Sequence, residues 1–578
     1  MNDGGRWRGV AAGYSGVGAL LVAGPLLGPG YLLLRDAVST PRSYLTDSAL
    51  GLGDAAPRAV PQDALLAALS PIVDGGFIVK AILVLALWAA AYGAAVLARE
   101  LLRAPIGAQL VAATVALWNP YVAERLLQGH WSLLTGYAAL PWTALAAYRI
   151  RAARGGIAPW AALTGSLAAA GLTPTGALLA GCTALALVRW RQLPVALALS
   201  VAASAPWLVA TTLSGAGAEP SDPAGIAAFA ARAEPGLATL GSLAGLGGIW
   251  NSQAVPASRT TLLAVLGTVL LLVIVALGLR TVASTADDSA TGHIRRALLV
   301  LAACAILLPA LGATTWGMYT LEWLVAGVPG AGLLRDTQKY VALAMPAYAL
   351  CAAAGCVALS RRLSATTTHP AVPATVAAIF VALITLPLSD LAWGVGGAVR
   401  AVHYPNGWHR VIEQVDGPGD VAVLPGGMFR KFHYSGTAPV LDPAPRMLPN
   451  DVMQTGVLPV RGRIVSGEGA RAAQVETLLL QGGSPTELAR LGVGWVLVEH
   501  GTPGPLGASA TTLTQLEPRY QDADLALYHV PGVVEQGGSV TAQRSLANAA
   551  HVLWAALLVA GPLITLGARA RSRTKARR

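Results

Sequence analysis

Long apolar stretches recur along this chain, each with arginines at one end and a Pro-, Gly- and Trp-rich segment carrying acidic residues at the other. The alternation runs from Arg6 to Arg578 and constrains the fold more than any single motif does. A membrane span needs roughly 20 apolar residues. Spans are read near 10–34, 77–98, 106–121, 131–148, 157–171, 175–188, 193–213, 260–279, 297–316, 338–358, 371–393 and 545–567. The expected fold class is therefore mainly α, a polytopic membrane helical bundle of about twelve transmembrane helices with a small α/β domain beside it. The pieces 157–171 and 175–188 are short for a span, and a re-entrant hairpin between Arg154 and Arg189 would leave the rest of the topology unchanged.

Lys and Arg near helix ends mark the cytoplasmic side. Such clusters fall at Arg6/Arg8, Arg99/Arg103, Arg149/Arg151/Arg154, Arg189/Arg191, Arg280/Arg295/Arg296, Arg361/Arg362 and Arg569–Arg578. They place both termini in the cytoplasm of a plasma (inner) membrane protein, and they account for much of the net charge of +11 without nucleic acid. The segments between alternate clusters hold Asp36, Asp47, Glu124, His130, Asp222, Asp336 and one large polar region, all expected on the outer face. With 54% hydrophobic against 12% charged residues, the chain is far from a soluble globular balance. The first span is too long to read as a removed signal peptide. Cys182, Cys304, Cys351 and Cys356 fall in or beside apolar spans, which argues against disulfides and a Cys-based metal site.

Three units are expected: a transmembrane domain over 1–398, an extracytoplasmic α/β domain over 399–542, and a final span with a basic tail over 543–578. In the middle unit, Val421–Pro425, Trp495–His500 and Leu525–Val530 read as strands. QVETLLLQGG and SPTELARLGVG read as helices, the latter opened by a Ser484–Glu487 capping box. The segment SDPAGIAAFAARAEPG reads as an interfacial helix with Asp222 at its N-cap.

Chemistry on the outer face lacks cytoplasmic nucleotide-activated donors, so an enzyme there usually draws its activated group from a lipid. That needs cations at headgroup depth and a carboxylate base. Asp36, placed directly after the first span, would be partly desolvated and so raised in pKa, which improves a base; it also reads as half of an Arg35–Asp36 pair ending a helix. Asp47 is the substitute candidate. Glu124, Arg125, Gln128 and His130 lie in WNPYVAERLLQGHW between two spans, where His130 is either a reactive or a hydrogen-bonded structural group. Arg335 and Lys339, one helical turn apart around Asp336, read either as a phosphate clamp at a helix entrance or as a helix-start ion pair. Trp250 and Asn251 could contact sugar rings and hydroxyls, though an aromatic belt also explains Trp250. No phosphate-cradling Gly-rich loop, GxSxG, HExxH or paired CxxC is present, so nucleotide hydrolysis is not expected.

The first loop opening at Asp36, the segment NPYVAERLLQGHWSLLTGYAALPW, the GLLRDTQKY helix start and the LARLGVGWVLVE run together resemble the GT-C superfamily of integral-membrane glycosyltransferases. Within it they look like the actinobacterial cell-envelope type, and the chain is loosely similar to arabinofuranosyltransferase-like and YfhO-like membrane proteins. The resemblance implies transfer of a sugar from a polyprenyl-phosphate donor to an envelope glycan, lipid or protein acceptor. It puts the family's acid base on Asp36, with Asp47 as the alternative, and its lipid-phosphate-binding residues on Arg335 and Lys339. Family members often carry two adjacent acids in that loop; Asp36 has no acidic neighbour, which leaves a divalent-metal requirement open. No cofactor is assigned, the lipid-linked sugar being a substrate. Two other classes stay in view: a lipid-linked-glycan transporter or flippase, and a non-catalytic envelope-assembly scaffold.

Overall fold

A computed structural model describes residues 3–577 apart from 55, 153–155, 215–220, 285–288, 329, 367–368, 461, 468 and 535–540. Arg154 and Arg578, two of the charges used above for topology, lie outside the described residues. Among the described residues, eight helices are long and apolar enough to cross a membrane, or nine if the bent pair Trp190–Ala203 and Ala205–Leu213 counts as one span. Two shorter apolar helices, Ile157–Ala170 and Pro174–Leu187, and the Leu133–Ala152 helix pack among them. The chain is a multi-pass helical membrane protein.

The helices differ in what they face. Ile106–Gln128 and Thr337–Thr366 are buried over most of their apolar length, whereas Leu263–Ala283 and Thr541–Ala568 leave most of theirs uncovered. The first two form the centre of the bundle, and both end at the polar cluster described below. Small residues allow the close packing: a Cβ on Gly136 would meet the backbone of Gly176, and one on Gly355 would meet the backbone of Ile274.

The first helix stops sooner than its hydropathy suggests. It ends at Ala23, a 3-10 turn covers Gly24–Leu27, and the apolar residues Tyr31–Leu34 form strand β1 instead of a last helical turn. The cause is GPLLGPG over 24–30: its prolines interrupt helical bonding, and Gly30 sits at φ +108 against the carbonyl of Val402. Strand β2 (Ala37–Val38) pairs antiparallel with β1 in the register Leu33↔Val38 and Leu34↔Ala37. On its other edge β1 pairs with β3 (Ala401–Val402), so the first loop and the region after residue 400 share one sheet.

Between Ala401 and His529 the chain builds a second layer. Its four-stranded sheet runs Glu517–Gln521, Leu525–His529, Val493–Glu499 and β4 (Asp420–Leu424), with only the last pair parallel. Val493–Glu499 is buried at every position, as a central strand covered on both faces requires. The Ala470–Leu480 and Pro485–Arg490 helices cover it, and Ser484 and Glu487 cap the second reciprocally as expected. The SDPAGIAAFAARAEPG segment gives only a short helix, Ala224–Ala228; Asp222 still bonds the Ala224 N–H, and its other oxygen accepts from Ser466 N at 2.7 Å.

Candidate active site

The site is built where the β1–β2 hairpin meets the helix Pro120–Gln128. Asn119 caps that helix by accepting from Val122 N at 3.1 Å, and Pro120 occupies its first turn. Gly129 ends it at φ +86, and a Cβ there would run into Leu34 O and Ala37 N. Only glycine lets the hairpin seat this closely. The two-residue connection is Arg35–Asp36, with Arg35 at φ 48, a conformation that usually favours glycine. Three bonds hold it there: Arg35 Nη1 donates to Leu127 O at 2.6 Å, Nη2 to Gln253 O at 2.5 Å, and its carbonyl accepts from Leu441 N at 2.7 Å. Asp36 N donates to Gln128 O at 3.1 Å, which fixes the acid at the hairpin tip over the helix end.

From Asp36 a chain of polar contacts runs inward. Its Oδ2 accepts from Gln128 Nε2 at 3.1 Å and lies 3.0 Å from His130 Nε2. His130 Nδ1 lies 3.0 Å from Arg125 Nη1, which is only ever a donor. Nδ1 must therefore accept, so the imidazole carries its proton on Nε2 and donates to Asp36. Arg125, fully buried, also binds Asp336 at 2.8 and 3.3 Å and donates to Gln338 Oε1. Gln338 Nε2 reaches Glu124 Oε2 at 3.1 Å, and the two Glu124 oxygens accept from Gly248 N and Ile249 N at 3.1 Å. Lys339 Nζ stands 3.9 Å from Asp336 Oδ2 and is about a quarter exposed.

The electrostatics reverse one expectation. Burial alone would raise the Asp36 carboxyl, but the hydrogen bonds from His130 and Gln128 and the nearby Lys339 charge outweigh it, and the net shift is downward. Asp336 behaves likewise, its burial outweighed by Arg125 and Lys339. Burial lowers His130, and the positive charges of Lys339 and Arg125 reinforce this against the pull of Asp36, so the imidazole is neutral. Asp36 is thus an ionised carboxylate with Oδ2 engaged twice; among the described residues no hydrogen bond reaches Oδ1.

The candidates named from sequence separate into groups. Asp36, Arg125, His130, Asp336 and Lys339 come together, with Asn251 joined through its 2.8 Å bond to Gln128 Oε1. Glu124 is fully buried, and its carboxylate holds the 248–249 backbone. Asp47 begins a short helix, pairs with Arg544 at 3.2 Å and donates its N–H to Asp451. Arg335 and Lys339 do not share one helical face: the backbone leaves helical geometry at Asp336 (φ −94, ψ 80). The Arg335 guanidinium lies over Phe229 at 5.8 Å, and Trp250 packs edge-on against that same ring at 4.8 Å. Sequence reasoning missed Gln338 and the buried pair Glu234–Arg259, whose arginine also bonds Ala264 O and Thr268. For Glu234 and Arg259 the available signal was charge in a membrane protein, which has to find a partner; uncharged Gln338 offered none. Among the described residues, no group of three or more His, Cys, Asp or Glu is placed to hold a metal ion.

No family model matches this chain, and no curated protein matches it. Two solved structures do, both single-particle cryo-EM structures of a mutant of arabinofuranosyltransferase AftD from mycobacteria, at 16% identity with TM-scores of 0.51 and 0.48. They cover 92% of this chain, and the match spans 42% of the AftD chain. Over nearly its whole length, then, this chain has the fold of a part of that arabinofuranosyltransferase.

Proposed function

We propose that this chain is a GT-C-type glycosyltransferase of the actinobacterial envelope kind, moving a sugar from a polyprenyl-phosphate donor to an envelope glycan, lipid or protein acceptor. In this reading twelve spans leave both termini in the cytoplasm, residues 1–398 and 543–578 hold the membrane part, and 399–542 sit outside with the site beneath them. The observation that carries it is Asp36: an ionised carboxylate with one oxygen pinned and the other open, beside a partly exposed lysine, at the end of the two most buried membrane helices.

The acceptor hydroxyl gives its proton to Asp36 Oδ1 as its oxygen bonds the anomeric carbon. The carbon–oxygen bond to the polyprenyl phosphate breaks, and its electron pair leaves on the phosphate. Attack from the face opposite the leaving group inverts the anomeric centre. Lys339 stands where it can meet the phosphate charge, the kind of interaction that dominates such steps, and Arg335 lines the approach. Until the donor binds, Lys339 also holds down the basicity of Asp36; a phosphate that neutralises this lysine returns basicity to the carboxylate. His130 and Gln128 orient Asp36, and Arg125 fixes the His130 tautomer. The acceptor would approach from the region after residue 400, whose Leu441 is bonded to Arg35.

The test is transfer from a polyprenyl-phosphate pentose to an oligosaccharide acceptor by the full chain in nanodiscs. Losing a general base costs about 10²–10⁴-fold, so Asp36→Asn should be nearly inactive while Asp47→Asn retains turnover. Full activity in a normally folded Asp36→Asn protein would overturn the reading.

A further inference from the structure

The Thr315–Gly327 helix carries a surface the proposed chemistry does not use. Trp316, Tyr319 and Trp323 are 85%, 69% and 69% exposed, and their spacing puts them on one helical face. The opposite face is occupied: Met318, Leu321, Leu324 and Val325 pack against Ile226 and Ala331. The helix contains no Lys or Arg, and its start is fixed by Thr314, which accepts from Gly317 N at 3.2 Å. A bare row of large aromatic side chains on a folded surface marks a place where something binds.

What covers it is indicated by its neighbour. The helix follows the membrane-crossing Ala290–Gly312 within three residues, and the last turns of that span leave Leu308 and Leu311 exposed at 64% and 60%. The uncovered leucines of a span pass directly into uncovered Trp and Tyr. That order, aliphatic then aromatic, is the one found from the hydrocarbon core to the membrane–water interface. From the other end of the helix the chain runs through the Ala331–Leu334 turn to Asp336 and Lys339.

We propose that the Trp316–Tyr319–Trp323 face lies against membrane lipid at the bilayer interface, and that it fixes the depth at which the Asp336–Lys339 segment meets a lipid-linked substrate. The second half rests on the donor reading above. Two readouts separate the halves. The full chain, with Tyr319 or, as control, Leu506 of the 401–529 layer replaced by the photocrosslinker benzoylphenylalanine, is placed in nanodiscs of phosphatidylcholine and phosphatidylglycerol and irradiated. Phospholipid adducts at 319 and none at 506 are expected. No adduct at 319, or a crosslink to a second copy of the chain, overturns the proposal. In the same nanodiscs, Trp316→Ala/Trp323→Ala should raise the KM for the lipid donor several-fold. An unchanged KM with lipid adducts present removes the depth-setting role. A wild-type protein that crosslinks to lipid but transfers no sugar removes the donor reading alone.

Discussion

Arg125→Met isolates the link that joins the buried part of the site to its reactive edge. Arg125 is fully buried and Asp336 only 7% exposed by its side chain, and they share two hydrogen bonds of 2.8 and 3.3 Å. Removing one partner of such a pair leaves an uncompensated charge at a cost of about 3–5 kcal/mol, enough to lower the folded-to-unfolded ratio by roughly 10²–10⁴-fold. Adding Asp336→Asn removes that charge, so the double variant should recover most of the loss. The assay is apparent melting temperature in one detergent at one scan rate, with the four proteins compared as a cycle. Activity supplies a second reading. With Arg125 gone, His130 loses a donor to Nδ1 and a repelling charge, so it takes up a proton at higher pH than in the native site. A cationic His130 withdraws basicity from Asp36. Arg125→Met, assayed below its melting temperature, should therefore lose turnover at a higher pH than wild type as the solution is acidified. Arg125→Met melting with the double variant would refute the uncompensated-charge argument, and an unmoved acidic limb would refute the tautomer lock.

Three further outcomes are expected. Gly129→Ala places a Cβ against Leu34 O and Ala37 N at a left-handed position; the conformation alone costs about 1–2 kcal/mol, and the displaced hairpin should cut turnover even at temperatures where the variant remains folded. Lys339→Ala should raise the KM for the lipid donor with little change in melting temperature, because the lysine is partly exposed and stands 3.9 Å from its nearest acid; an unchanged KM would remove it from phosphate binding. In the 401–529 layer, burial, with Asp451 and Asp54 adding to it against Arg471, pushes the Asp420 carboxyl up to about 6. Its folded value lies above the unfolded one, so its stabilising contribution is full below about pH 4 and lost as pH rises through about 6. Asp420→Asn should flatten the melting temperature across that window.

Much of this architecture is legible in the sequence because hydropathy and punctuation report it locally. The strands around 421–425, 495–500 and 525–530 and the Ser484–Glu487 cap appear where pattern places them. The β1–β2 hairpin was hidden because Tyr31–Leu34 continues an apolar run, and a short buried strand cannot be told from a helix end by periodicity. The site residues divide on a similar line. Asp36, Arg125 and His130 drew notice as polar groups beside spans. Their grouping with Asp336 depends on contacts more than 200 positions apart, as the Arg125–Asp336 bond shows. Gln338 carries no charge to attract attention, yet it ties Arg125 to Glu124. Spacing alone puts Arg335 and Lys339 on one face of a regular helix, and the backbone at Asp336 breaks that helix.

The most direct measurement is glycan and lipid-linked-sugar profiling of a depletion strain complemented with wild type or Asp36→Ala. Accumulation of one polyprenyl-phosphate sugar and loss of one linkage, restored by wild type alone, is the predicted result. If depletion alters no linkage, or Asp36→Ala restores it fully, Asp36 is not the base, and a transporter or scaffold takes the place of the transferase.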